Sequence, residues 1–282
     1  MPPTVAIIAQ GAMGAGVARR LTDHGVTVLT SLAGRSARSA ERAAAAGMRV
    51  VEDAAIADAA IILSIVPPAE ARALAERLAP HLAASARKPL YADCNAVSPE
   101  TVQGIAAAIA PTGCVFADAG IIGGPPRPDG YNPVFYASGP GAPGLAALSA
   151  HGLDVREIAG PVGAASALKM SYAGITKGLV SLGSAMMLAA ARAGAAEGLF
   201  HELEASQPQL LAWFRRMVPS SFEKAYRWEG EMEEIADFIG ADAASDIYRA
   251  IARFYAQMAA DAAGPNRDTA AIRAVLATPP SR

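Results

Sequence analysis

The sequence predicts an α/β chain in two domains: a doubly wound, mostly parallel sheet over residues 1–161, then an all-α domain over residues 162–282 that starts with a long interdomain helix. Three observations carry this. Through the first 160 residues, short β-type runs alternate with Ala-rich helical stretches, the rhythm of strand–helix–strand units. The strand candidates are almost continuously apolar, as in IILSIV at Ile61–Val66, which suits strands buried on both faces. After Gly160-Pro161 only helical periodicity remains, with breaks near Gly194, Pro208, Pro219, Gly240 and Gly264-Pro265.

In chain order the strand candidates are Thr4–Ile8, Val26–Thr30, Arg49–Val51, Ile61–Val66, Pro89–Asp93, Cys114–Asp118, Pro133–Ser138 and Val155–Ala159. Helices are expected at Gly14–His24, Ala37–Ala46, Ala69–Leu82 and Pro99–Ala110. The last strands lack obvious helices between them, so the sheet is expected to end in an antiparallel or mixed portion.

Composition narrows the function classes. With 282 residues, 52% of them apolar and 18% charged, the chain can bury a large core. A formal charge of −2 leaves no footprint for nucleic acid or an anionic membrane. Cys94 and Cys114 form neither a metal nor a disulfide framework and read as reduced thiols of a cytoplasmic protein. The start, MPPTVAII, lacks the features of a signal peptide. The charge-free run Gly178–Ala191 falls short of the roughly 20 residues of a membrane span. His24, His81, His151 and His201 lack ligand spacing, so no metal site is expected.

The stretch VAIIAQGAMGAGVARRL, Val5–Leu21, reads as strand, glycine-rich turn and helix. Its frame follows from sterics. The third glycine of G-x-G-x-x-G lets helix and strand pack closely, so a frame that puts Arg19 there fails. Starting at Ala9 instead sets Gly11 against the pyrophosphate and Gly14 at the packing position, with only the tight-turn glycine replaced. Ala12 and Met13 complete this Rossmann-type cofactor loop, whose helix amides can hold phosphates. No acid occurs between Asp23 and Glu41, where an NAD site carries one for the ribose 2′-hydroxyl. Ser31, Arg35, Ser36 and Arg38 stand there instead and suit a 2′-phosphate, so NADP(H) is favoured over NAD(H).

Beyond Val162, Lys169, Tyr172, Ala173, Thr176 and Lys177 fall on one helix face. A lysine early in a buried helix requires a reason, because burying an ammonium is costly; the bland alternative is snorkelling to solvent. The small-residue surface Gly174–Gly194 permits close helix approach.

Taken in order, AQGAMG (Ala9–Gly14), SIVPP (Ser64–Pro68), DCNAVSP (Asp93–Pro99), DAGIIGG (Asp118–Gly124) and ASALKMSYA (Ala165–Ala173) resemble motifs of the β-hydroxyacid dehydrogenase and 6-phosphogluconate dehydrogenase superfamily. The resemblance implies hydride transfer between a nicotinamide and a small hydroxy or carbonyl compound, with Lys169 as general acid/base. It places Val66 and Pro67 at the cofactor, Asn95 at the nicotinamide ribose or the substrate, and Ile122, Gly123 and Gly124 at the substrate, and with the small-residue helix surface it implies a homodimer. An anionic substrate is a further expectation, with Tyr172 at the substrate and Lys177, Arg127 or Arg267 as its carboxylate or phosphate partner. Asn95, Ala96, Ile122, Ala165 and Ala173 depart from the family's serine, threonine, serine, glycine and asparagine, which argues against a standard small β-hydroxyacid. Tyr172 is the candidate for the lost asparagine's role. The segment RWEGEMEEIADFIG, Arg227–Gly240, marks a distinct helical branch, with Glu229–Glu234 expected as a solvated face. Two other readings stay open: imine reductase-type C=N reduction, and a dinucleotide-binding regulatory protein without turnover.

Overall fold

A computed structural model describes residues 2–279. Its strands are β1 (Thr4–Ile8), β2 (Thr27–Thr30), β3 (Arg49–Val50), β4 (Ile61–Ser64), β5 (Leu90–Asp93), β6 (Phe116–Ile122), β7 (Val134–Ser138) and β8 (Asp154–Glu157). They form one sheet in the order β3-β2-β1-β4-β5-β6-β7-β8. The first six strands are parallel in the doubly wound order, which puts the topological switch point between β1 and β4. β6 and β7 pair antiparallel and β7 and β8 parallel, so the sheet ends mixed as the sequence predicts.

The helices of this part are α1 (Ala12–Asp23), α2 (Ala37–Ala45), α3 (Asp53–Ile56), α4 (Pro68–Ala84), α5 (Pro99–Ile109) and α6 (Ala142–Ala146). Successive residues of β1 serve opposite faces, the consequence of a period-two pleat. Val5 and Ile7 join one core with Val17 and Leu21 of α1. Ala6 and Ile8 join the other with Leu74 and Leu78 of α4 and Ile105 of α5. Two features differ from expectation. β6 runs on to Ile122, because Gly120–Ile122 keep pairing with Val134–Tyr136. The helices α3 and α6 are only four and five residues long, too short to leave a periodic signal.

The chain divides into two compact units, one ending at Lys169 and one beginning at Met170. The second unit is helical throughout: the remainder of α7 (Ala164–Arg192), then α8 (Ala196–Ser206), α9 (Pro208–Ser221), α10 (Ala225–Ile239), α11 (Ala243–Ala263) and α12 (Arg267–Leu276). Its core gathers Val180, Met187, Phe200, Phe214, Trp228, Met232, Tyr255 and Ile272. The Asp242 carboxylate caps α11 by accepting from Ala244 and Ser245 amides at 2.8 and 3.2 Å. At 29 residues, with a mean hydropathy of 1.3 over its most apolar window, α7 is long and apolar enough to cross a membrane by length and composition. The charge-free run Gly178–Ala191 suggests otherwise only because the helix continues back through Lys177 and Lys169.

Candidate functional site

The glycine-rich turn leaves β1 at the switch point. Helix α1 starts at Gly11 with no side chain capping it and no acid in its first turn, so its leading amides and positive end remain available to an anion. A Cβ on Gly14 would overlap the Ala9 carbonyl oxygen. That collision is the physical reason for glycine at 14, and it supports the frame beginning at Ala9. Gln10, which the sequence reading passed over, is wholly buried. Its Nε2 donates to the Ser31 carbonyl at 3.0 Å and to Thr30 Oγ1, which in turn donates to the Ile7 carbonyl at 2.7 Å. Among the described residues Gln10 Oε1 has no hydrogen-bond partner. A polar residue in an apolar strand exit was the signal that could have found it.

After β2, Ser31 is buried and its Oγ accepts from the Ala33 amide at 3.3 Å. Ser36 is the N-cap of α2, accepting from the Ser39 amide at 3.3 Å, so that hydroxyl is already committed. Arg38 is exposed. Arg35 donates from Nη2 to Glu70 Oε2 at 2.8 Å, a partner brought from the first turn of α4.

At the carboxyl end of the sheet, Ser64, Asp93, Asp118 and Ser138 are cross-strand neighbours on β4, β5, β6 and β7. All four are buried, which makes a polar row across an otherwise apolar sheet. Each member is hydrogen-bonded, as burial requires. Asp118 Oδ2 accepts from the amides of Gly163 and Ser166 at 2.9 and 3.0 Å and from Ser138 Oγ at 3.1 Å. Asp118 Oδ1 accepts from Ser166 Oγ at 2.7 Å, and Ser138 Oγ accepts from the Ala165 amide at 3.0 Å. The aspartate thus caps the start of α7, where the helix dipole favours a negative charge. Gly120 completes the docking: a Cβ there would stand 2.8 Å from the Ala165 carbonyl oxygen and 3.1 Å from Lys169 Cβ.

Lys169 is therefore held beside the polar row, and it is only part-exposed. Burial lowers its pKa from the ordinary lysine value, opposed by the charges of Cys94, Asp93 and Asp118. Asp93 is pushed up to about 6, mainly by burial and against its hydrogen bonds from Asn95. Burial also pushes the Cys94 thiol up. Both cysteines are free and buried.

Asn95 is engaged within the protein. Its Nδ2 donates to Ser64 Oγ at 2.8 Å and Asp93 Oδ2 at 2.7 Å, and its Oδ1 accepts from the Val66 amide at 2.6 Å. It braces the β4 exit, where Val66 is buried and Pro67 exposed. Ile122 is half-buried, while Gly123 and Gly124 are exposed. The Gly124 amide donates to the Tyr131 hydroxyl at 3.1 Å, a tether that the sequence reading also missed. In the second unit, Tyr172 is 52% exposed. Lys177 is paired with Glu231, and its Nζ lies 5.1 Å from the Trp228 ring centroid. The acidic run is thus only partly the solvated face expected: Glu231 turns to Lys177, and burial raises the Glu234 carboxyl.

Comparison with known proteins agrees with this architecture. Residues 4–132 match the NAD-binding domain of 6-phosphogluconate dehydrogenase, and residues 190–258 match a domain of unknown function, DUF1932. The conserved protein MTH1747, of unknown function and structurally similar to 3-hydroxyacid dehydrogenases, is 30% identical over 92% of this chain and 98% of its own, with a TM-score of 0.79. A Mycobacterium tuberculosis 3-hydroxyisobutyrate dehydrogenase solved with L-serine shares the fold at 21% identity, covering 99% of this chain and 100% of its own, with a TM-score of 0.75. An imine reductase from Myxococcus stipitatus solved with NAD+ shares it at 18% identity, 99% and 100% coverage and a TM-score of 0.61. No curated protein matches the chain. Fold and turn together define an NAD(P)-binding domain followed by a helical domain. The chain belongs to the 6-phosphogluconate dehydrogenase-like and 3-hydroxyacid dehydrogenase-like superfamily of NAD(P)-dependent oxidoreductases.

Proposed function

We propose that the chain is an NADP(H)-dependent oxidoreductase that transfers hydride between the nicotinamide and a small, anionic hydroxy or carbonyl compound, with Lys169 as general acid/base. The observation that carries this reading is an ammonium beside the buried Asp93–Asp118 row with its pKa lowered by burial. The available amides of α1, the open space at Gly11, where a Cβ would meet nothing within 4 Å, and the Gln10 oxygen left unpartnered among the described residues fit a dinucleotide. When bound, that cofactor supplies or accepts the hydride. The chain does the rest. The α1 amides and Gly11 hold the pyrophosphate; Ser31 and Arg35 take the 2′-phosphate; Val66 and Pro67, steadied by Asn95, line the β4 exit. Gly123 and Gly124 leave room for substrate, and Lys169 gives a proton to the carbonyl oxygen in reduction and removes it in oxidation. Tyr172 follows Lys169 by three residues on α7 and is our candidate for the second substrate contact. Lys177 is the weaker anion partner, since Glu231 holds its charge.

Tyr172, Ile175, Leu179, Leu182 and Met186 form an exposed apolar row on α7 at spacings of three and four. That row supports a homodimer built on α7; a monomer in light scattering at micromolar concentration would count against it. The deciding experiment measures NADPH consumption across aldehydes, keto acids and cyclic imines, for the wild type and Lys169→Ala. Turnover of the preferred carbonyl should fall by about 10²–10⁴ while NADPH affinity stays within about twofold. Unchanged turnover removes Lys169 from the mechanism, a preference for cyclic imines replaces C=O by C=N reduction, and tight NADPH binding without turnover makes the chain a regulatory binder.

A further inference from the structure

The sheet order places the exits of β2 and β4 on either side of the exit of β1. The glycine turn therefore runs between them, in the crevice where doubly wound sheets bind their ligands. One ion pair joins the two flanking exits. Arg35, in the loop after β2, donates to Glu70, in the first turn of α4, at 2.8 Å. The Arg35 side chain is 19% exposed and that of Glu70 is 47%, so the guanidinium is the more anchored partner. Its backbone is fixed as well, with the Arg35 amide donating to the Leu32 carbonyl at 3.0 Å.

The sequence after β2 carries no acid between Asp23 and Glu41, which would leave Arg35 an uncompensated cation. The fold supplies the missing carboxylate from elsewhere, 35 residues further along. A 2′-phosphate would then have to share the Arg35 guanidinium with the Glu70 carboxylate, and two anions on one cation repel. A ribose 2′-hydroxyl makes no such demand. It can leave the pair intact and donate to the carboxylate, as hydroxyls do at acidic Rossmann positions.

We infer that Glu70 is a specificity-determining residue, which sets the balance between 2′-phosphorylated and 2′-hydroxyl dinucleotides by occupying Arg35. This rests on the dinucleotide reading above. It also gives the binding of a 2′-phosphate a conformational step, in which Arg35 exchanges carboxylate for phosphate.

The test is direct binding by calorimetry on the full chain, with NADPH, NADH and adenosine 2′,5′-bisphosphate as probes. Glu70→Gln keeps the shape and removes the charge. It should tighten NADPH and the bisphosphate by roughly three- to tenfold and leave NADH within about twofold. Arg35→Gln should weaken both phosphorylated probes by about tenfold or more, and adding Glu70→Gln to it should restore nothing. Glu70→Ala, with melting curves for all variants, guards against a folding artefact. An unchanged NADPH:NADH ratio in both Glu70 variants overturns the role of Glu70. Failure of the wild type to bind either dinucleotide overturns the cofactor reading itself, and Glu70's role with it.

Discussion

Lys169 and Lys177 stand two turns apart on α7 and put the same ammonium in opposite circumstances. Lys177 is matched: Glu231 pairs with it, the Trp228 ring lies 5.1 Å away, and its carbonyl accepts from the Tyr255 hydroxyl at 2.7 Å. Lys169 has carboxylates in its neighbourhood, and among the described residues it forms no ion pair with them. The reason is visible in their bonding. Asp118 is committed to the first turn of α7 and to Ser138, and Asp93 to Asn95. Burial makes Lys169 lose its proton more readily than a solvated lysine, and the neighbouring negative charges, committed elsewhere, oppose this without cancelling it. Proximity to acids does not identify a proton-transfer lysine; what matters is whether those acids are otherwise engaged.

Substituting both lysines alike tests that distinction with the largest expected effect. Lys169→Met should remove most turnover, by about 10²–10⁴. Lys177→Met should leave turnover within about threefold, because Glu231 holds most of its charge and leaves it only the weaker anion contact. Its effect belongs in the melting curve, a loss of about 1 kcal/mol for a part-exposed pair. Equal losses of turnover would erase the comparison and return Lys177 to substrate binding.

How much of this could be read from the sequence follows the range of the interactions. β1 and the glycine frame are local: apolar alternation and one steric collision, Gly14 on Ala9, decide them. Lys169 was legible as an anomaly on an apolar helix. Its environment was not, because Ser64, Asp93, Asp118 and Ser138 become a row only through strand register, which no local pattern states. Asn95 shows the same limit at closer quarters. Its place in a motif suggested a cofactor contact, yet three neighbours take its hydrogen-bonding groups. Glu70 and Glu231 were invisible for the same reason as the row: each meets its cation across a fold contact.

Two glycines sharpen the comparison at a smaller scale. Gly120 faces the Lys169 end of α7, and a Cβ there would press on backbone at 2.8 Å. Gly120→Ala should cost about 1–3 kcal/mol in denaturant unfolding and lower turnover with it, since the lysine moves with its helix. Gly178 lies beside Lys177, where a Cβ would meet Ile251 and Tyr248 at an ordinary 3.7 Å. Gly178→Ala should be neutral or stabilising by up to about 1 kcal/mol, from helix propensity. The reverse ranking would mean that α7 is not docked through Gly120.

The smallest effect is the most specific. Asp93 titrates at about 6, raised chiefly by burial and held from rising further in part by the positive charge of Lys169. Removing that charge with Lys169→Met should move the Asp93 carboxyl upward, read by carboxyl carbon NMR; Lys177→Met should leave it near 6. The sign carries over to stability. Because the folded pKa lies above the unfolded value of 3.8, the folded chain binds the extra proton between these limits. The stabilisation is complete below about 4 and is lost as pH rises through 6, and in Lys169→Met the loss should extend to higher pH. An Asp93 resonance that titrates identically in both variants would show that the Lys169 charge does not reach the polar row, and the contrast between the two lysines would fail at its physical root.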